Sequence, residues 1–302
     1  MGKKNVIVSI FLAGAILVGG FSTKVWVQSS DIKNSITPEV PEEETSYYLK
    51  NREQLFSKRE EENKYKIRSN ILTVQKYEHQ EKYLQALKDE IEAKIKAENG
   101  KLELGYTTES SVEELKLQLQ ETKLQIETVQ EQQKQYKEII KIYDGEYVPI
   151  AISEDISALT DDYVTKFLQD NLQIKYYENQ IKTYQEYLDE NEKAKNFKEI
   201  QIQRDLVELD KKQYEADLRV YVKEKMLQYE TIFRNITQVN DEIALIEEKI
   251  QADKILFDNG KITKIQIIEL ETEREKLIYE KMCLIYDADC IRYVLEYKIE
   301  GV

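Results

Sequence analysis

Ile91-Glu-Ala-Lys-Ile-Lys-Ala97 recurs 155 residues later as Ile246-Glu-Glu-Lys-Ile-Gln-Ala252. A Gly-x-x-Thr turn follows each copy at the same spacing, Gly105 to Thr108 and Gly260 to Thr263. Seven positions at this offset are identical, and Glu114-Leu115 and Glu269-Leu270 carry the match past the turn. A repeat at a fixed offset sets the architecture before any local structure is read. Each copy reads as helix, glycine turn, helix. The chain is therefore predicted to be all-α: two tandem long antiparallel helical hairpins of coiled-coil or α-barrel type, with no β-barrel.

Composition agrees. The 302 residues are 34% charged and include only 9 Gly and 3 Pro, the profile of long helices. Mean hydropathy is −0.62, so narrow apolar seams are expected rather than a thick core. The net charge of −14 would repel a phosphate backbone, which excludes nucleic acid and favours a basic partner surface. The 21 tyrosines suit seam edges, where the ring packs and the hydroxyl stays wet.

There is no Gly-rich phosphate loop, no Ser/His/Asp set and no Cys/His cluster. No enzyme activity, catalytic residue, cofactor or metal is expected. The lone histidine, His79, sits among charged residues. Cys283 and Cys290 share a helix face, but two turns separate them by roughly 10 Å, too far for a disulfide. They read as buried free thiols.

Lys3-Lys4 followed by an apolar run from Val6 to Phe21 is a basic region and apolar core of secretory type. Val25-Trp26-Val27 continues the run, so residues 1–28 read as a signal peptide or as an uncleaved anchor. Either way the remainder is exported to the cell envelope, anchored or secreted, and touches a membrane through its N-terminus only. A polar linker with Pro38 and Pro41 follows over 29–44, then a first hairpin over 45–145. A second linker covers 146–160, with Gly145 and Pro149 marking its start, and a second hairpin covers 161–300. Residues 189–198 read either as a hinge or as continuous helix.

Val112, Leu115, Leu119, Thr122, Ile126 and Val129 form a heptad seam, and Leu117 and Leu124 begin a second stripe. The last helix is likewise double-striped. Two stripes let a helix pack on two neighbours, as in a wall of helices or a helical barrel. A four-helix bundle would need the same pattern.

Asn259-Gly-Lys-Ile-Thr263-Lys-Ile-Gln-Ile-Ile268-Glu-Leu270 resembles the tip motif of the TolC-type outer-membrane efflux proteins, roughly Gly-x-x-Thr-x-x-Asp-Val-Leu-x-Ala before a long amphipathic helix. Leu104-Gly105-Tyr-Thr-Thr108-Glu-Ser-Ser-Val112 looks like the matching first tip. Gln266 and Ser111 stand where the family has Asp, and Glu113 replaces its Leu. The resemblance implies a trimer whose hairpins form a hollow tube for export. It also implies docking of a membrane-fusion adaptor, and through it an inner-membrane transporter, at Gly105, Thr107, Thr108, Gly260, Ile262 and Thr263. The family's barrel strands would fall near residues 45–60 and 189–200, yet no alternating apolar run occurs there. The chain thus reads as the helical conduit without its membrane pore, and outer-membrane insertion is not expected. The second reading is a structural coiled-coil spacer or scaffold of the cell envelope. An adaptor is a third, but flanking β-rich segments are missing from the sequence.

Overall fold

A computed structural model describes residues 52–152, 162–169, 171–193 and 195–299. The expected N-terminal signal or anchor and the linker after it lie outside these residues, as does most of the second linker. The chain divides into two compact units, Met1–Lys58 with Ile299–Val302, and Arg59–Lys298. In the first, only the opening turns of one helix and Ile299 are described. The second holds both hairpins.

Among the described residues there are six helices and no strand: α1 (Arg52–Glu103), α2 (Glu109–Ile142), α3 (Asp162–Gln169), α4 (Leu172–Glu190), α5 (Phe197–Asp258) and α6 (Lys264–Glu296). The expected all-α hairpin architecture holds. α1 meets no Pro, and it runs through Asn99-Gly100 to Glu103. The first turn is therefore made by Gly105 alone, because only there does the backbone become left-handed. Residues 189–198 contain neither Gly nor Pro. They nevertheless reverse the chain, since α4 ends at Glu190 and α5 begins at Phe197. Tyr187 Oη donates to Asn196 Oδ1 across this turn at 3.1 Å.

The long helices are tied together pairwise, and Leu72 of α1, Ile236 of α5 and Ile285 of α6 share one buried cluster. α1 meets α2 through Tyr77 and Tyr136, with ring centroids 5.7 Å apart. Glu81 also accepts from Gln130 at 2.6 Å and Gln133 at 2.8 Å. α1 meets α6 through Tyr83 stacked on Tyr279 and through Arg68 on Asp289. α6 meets α5 through Ile246, Ile250 and Leu277, each worth about 1.5–3 kcal/mol of burial. α4 and α3 line the first half of α5, where Phe167, Leu218 and Val222 share a core. Tyr77, Tyr83, Tyr136 and Tyr279 lie at helix–helix seams as expected, whereas Tyr106 is exposed at a hairpin tip.

After α2 the chain turns at Asp144 (φ 57°) and Gly145, then lies extended along α1. Gln75 holds Ile150 as a neighbouring strand would, accepting from its N–H at 3.0 Å and donating to its carbonyl at 3.1 Å. Tyr147 Oη donates to Glu78 at 2.6 Å. A Cβ at Gly145 would stand 3.0 Å from Ile67 Cγ2 and 3.1 Å from the Ile140 carbonyl. Gly145→Ala is therefore expected to cost about 1–3 kcal/mol through overpacking. Thermal melts check this, with Gly100→Ala, which has open space around it, as the control.

Cys283 and Cys290 are free thiols as expected, but half-buried rather than buried. Cys290 lies at the margin of the Leu72, Ile236 and Ile285 cluster. Burial is the main cause that pushes both thiols up to about 11 from 9.0. The unfolded thiols ionise first, so their contribution to stability is present below pH 9 and is lost as pH rises through 11. Denaturant midpoints should fall over that window. Replacing both by Ser should flatten the fall.

Candidate functional site: the hairpin tips

Both tips close by the same geometry. At the first, the Gly105 N–H donates to Leu102 O at 2.9 Å and the Tyr106 N–H to Lys101 O at 2.8 Å. At the second, the Gly260 N–H donates to Phe257 O at 2.8 Å and the Lys261 N–H to Leu256 O at 2.9 Å. These paired bonds satisfy carbonyls that a helix end leaves open, and they require a left-handed residue just past the helix. Gly105 at φ 76° and Gly260 at φ 69° supply it. A Cβ at either would meet nothing within 4 Å, so the backbone conformation alone demands glycine. Gly260→Ala is expected to cost about 1–2 kcal/mol, and Gly260→Asn less, since Asn tolerates this region. Urea titration of the two variants measures the difference.

The helices that leave the tips start differently. Thr108 is extended (φ −113°), and its Oγ1 accepts from Ser111 N–H at 3.3 Å. Thr107 does not cap; its hydroxyl donates to Glu98 at 2.6 Å and ties the turn back to α1. Lys101, with Thr107, holds the Glu98 carboxyl below its ordinary value. At the second tip, Gln266 takes the part of a capping-box glutamate. Its Oε1 accepts from the Thr263 N–H at 2.9 Å and from the Thr263 hydroxyl at 3.2 Å. Gln266 thus reaches back to the start of its own helix.

Both tips lie at the same end of the hairpins. Lys94, eleven residues before Gly105, bridges Glu269, nine residues after Gly260, at 2.6 Å, and also holds Glu90 at 2.7 Å. Of the residues expected at the tips, Gly105, Thr108, Gly260 and Thr263 are exposed, while Thr107 and Ile262 are half-buried. Leu104 and Tyr106 were not among the expected docking residues, yet they are 71% and 80% exposed. Two large apolar side chains flanking a turn glycine, outside the seam register, are the signal that marks them. A polar cleft of about 250 Å³ opens between α1 and α2 above the first tip, lined by Glu90, Lys94 and Glu121 among others. Its one cation is already bound to carboxylates. His79 is half-buried, its ring 6.1 Å from that of Tyr286. Among the described residues no set of His, Cys, Asp and Glu side chains is grouped to hold a metal. Nor is any helix among them long and apolar enough to cross a membrane.

No protein-family model and no curated protein matches the sequence. A solved structure is similar in fold: CusC, described with conformational changes accompanying folding and transmembrane channel formation. It superposes with a TM-score of 0.62 over 78% of this chain and 76% of its own, at 10% sequence identity. At that identity the likeness is one of fold, and the fold of this chain is TolC-like in its helices.

Proposed function

We propose that this chain is a non-enzymatic, exported, TolC-like conduit or stalk component of an efflux or secretion assembly. It works as a homo-oligomer, a trimer by the family resemblance. It docks a membrane-fusion adaptor, and through it an inner-membrane transporter, with its hairpin tips. The observation that carries this reading is the pair of tips. Two turns closed by the same pair of backbone hydrogen bonds, 155 residues apart in sequence, sit at the same end of the hairpins, with Leu104 and Tyr106 exposed at the first. A spacer needs its helices to end; it does not need both ends to match and to share one side. The likeness to CusC, itself linked to transmembrane channel formation, supports the same reading. Since no strand occurs among the described residues, the proposed part is the helical one, with residues 1–28 serving as its export signal or its anchor.

The test is capture of partners from the native cell envelope by the full-length chain and by Tyr106→Asp/Ile262→Asp. The wild type should retain an adaptor with helical hairpins. The variant should lose it at least tenfold with unchanged helix content. Retention of the same partners by both proteins would favour the scaffold reading.

A further inference from the structure

The 155-residue offset holds for the helices as well as for the sequence motif. α1 ends at Glu103 and α5 at Asp258; α2 begins at Glu109 and α6 at Lys264. The seams inside the two hairpins correspond. Ile71, Val74 and Ile91 are buried on α1, and their counterparts Met226, Tyr229 and Ile246 are buried on α5. α1 has a second covered side, towards α6, and the matching side of α5 is bare. Leu72, which packs with Ile285, corresponds to Leu227, and the buried Glu90 corresponds to Leu245. The return helices show the same contrast. On α6, Thr272 is buried and donates to the Ala86 carbonyl at 3.4 Å, and Tyr279 stacks on Tyr83. Their counterparts on α2 are Leu117 and Leu124. Leu117, Leu124, Leu227 and Leu245 are all between 52% and 62% exposed. A repeated unit that buries one face against its neighbour leaves the matching face unfilled at each end of the array.

The charges carry the same correspondence. Lys94 of α1 holds Glu269 of α6 at 2.6 Å. Their counterparts, Lys249 of α5 and Glu114 of α2, are the same residue types. Both are exposed and carry no ion pair among the described residues. His79 and Tyr286, whose rings meet across the α1–α6 seam, correspond to Arg234 and Glu131, again a cation and an anion. Arg234 and Glu131 have exposed partners only on their own helices, Glu230 at 3.7 Å and Lys134 at 3.6 Å, which cost little to exchange. Glu114, Leu117, Leu124 and Glu131 form one stripe at spacings of 3, 7 and 7 residues, and Leu227, Arg234, Leu245 and Lys249 another at 7, 11 and 4. Asp241, in the place of Ala86, stands beside Leu117 at the wet edge of the seam. The match ends farther from the tips. Arg68 and Asp289 correspond to Lys223 and Lys134, which repel, so the helices part there.

We propose that α5 of one copy docks α2 of a second copy of this chain as α1 docks α6 within the chain. Lys249 bonds Glu114 of the second copy, Arg234 bonds its Glu131, and the four leucines are buried between the helices. The two faces differ, so the contact runs head to tail and closes as a ring when the rotation allows. All tips then share one end, in a trimer as in any other ring. The inference deepens the homo-oligomer of the proposed function, and it rests on the repeat rather than on adaptor docking.

The experiment uses the full chain with Cys283→Ser/Cys290→Ser, oxidised and run on a non-reducing gel. Leu117→Cys/Leu245→Cys should give a ladder of linked chains that ends at the closed ring. Leu117→Cys alone and Leu245→Cys alone should each link at least fivefold less, because neither position faces itself. Lys249→Glu/Arg234→Glu should weaken the ladder at least fivefold, and adding Glu114→Lys/Glu131→Lys should restore it. The inference is overturned if the single-cysteine chains link as well as the double, the mark of a two-fold contact, or if charge reversal changes nothing. Sedimentation and adaptor capture separate it from the conduit reading. A chain that assembles without the ladder uses another surface, which overturns the inference and leaves the conduit. A ladder from a chain whose tips capture no adaptor does the opposite. A chain that stays monomeric removes both.

Discussion

Asp289→Ala should lower stability by about 3–5 kcal/mol, the cost of leaving one half of a buried ion pair without the other. Asp289 sits in the second half of α6 with its side chain 3% exposed. Its oxygens accept from Arg68 Nε at 2.7 Å and Nη2 at 2.9 Å, a two-pronged bond across to α1. Arg292 adds a third donor at 3.3 Å, and the Arg68 guanidinium also lies over the Tyr293 ring, 5.6 Å from its centre. Removing the carboxylate strands a guanidinium at the seam between the two hairpins. The double variant Arg68→Leu/Asp289→Leu should recover much of the loss, because an apolar pair of similar volume carries no desolvation cost. Denaturant unfolding of the two single variants and the double measures the coupling directly. A purely additive result would mean that the pair does not hold α1 to α6.

Phe167→Ala should cost a similar amount, about 3–5 kcal/mol, but by a different mechanism. Phe167 is fully buried in α3, with its ring edge-on to Tyr221 of α5 at 6.2 Å, within a core that includes Leu218, Val222 and Leu295. α3 has only 8 residues and could not persist alone in water. Losing the ring leaves a cavity and releases the element that joins α3 to α5 and α6. The loss should appear as rapid amide exchange over α3 and the first half of α5, with the α1–α2 hairpin still protected. Uniform exchange across both hairpins would mean that the two halves unfold as one.

The features legible in the sequence were the ones written locally. The heptad spacing, the repeat and the two glycines were enough for the hairpins and their turns, because helix ends depend on residues within one turn of them. Distant pairings were illegible. Arg68 and Asp289 are 221 residues apart, and Asp289 looks like an interruption of an apolar stripe until its partner is placed beside it. Gln75, which holds Ile150, was hidden in the same way. The reversal at 191–196 was ambiguous because it forms without glycine or proline. Stripe width alone left a row and a bundle equally open. At the tips, Thr108 and Thr263 were readable as helix starts. The tie from Thr107 to Glu98 and the exposure of Leu104 and Tyr106 depended on where α1 ends, past Asn99-Gly100 at Glu103.

The conduit reading stands or falls on whether the two tips serve as one docking surface. Photo-crosslinking in the native envelope addresses this, from a photoreactive amino acid at position 106 in one protein and at position 262 in another. Both positions are expected to capture the same partner, in similar yield. Capture of different proteins by the two tips would contradict a shared surface, as would capture of none while the chain assembles normally.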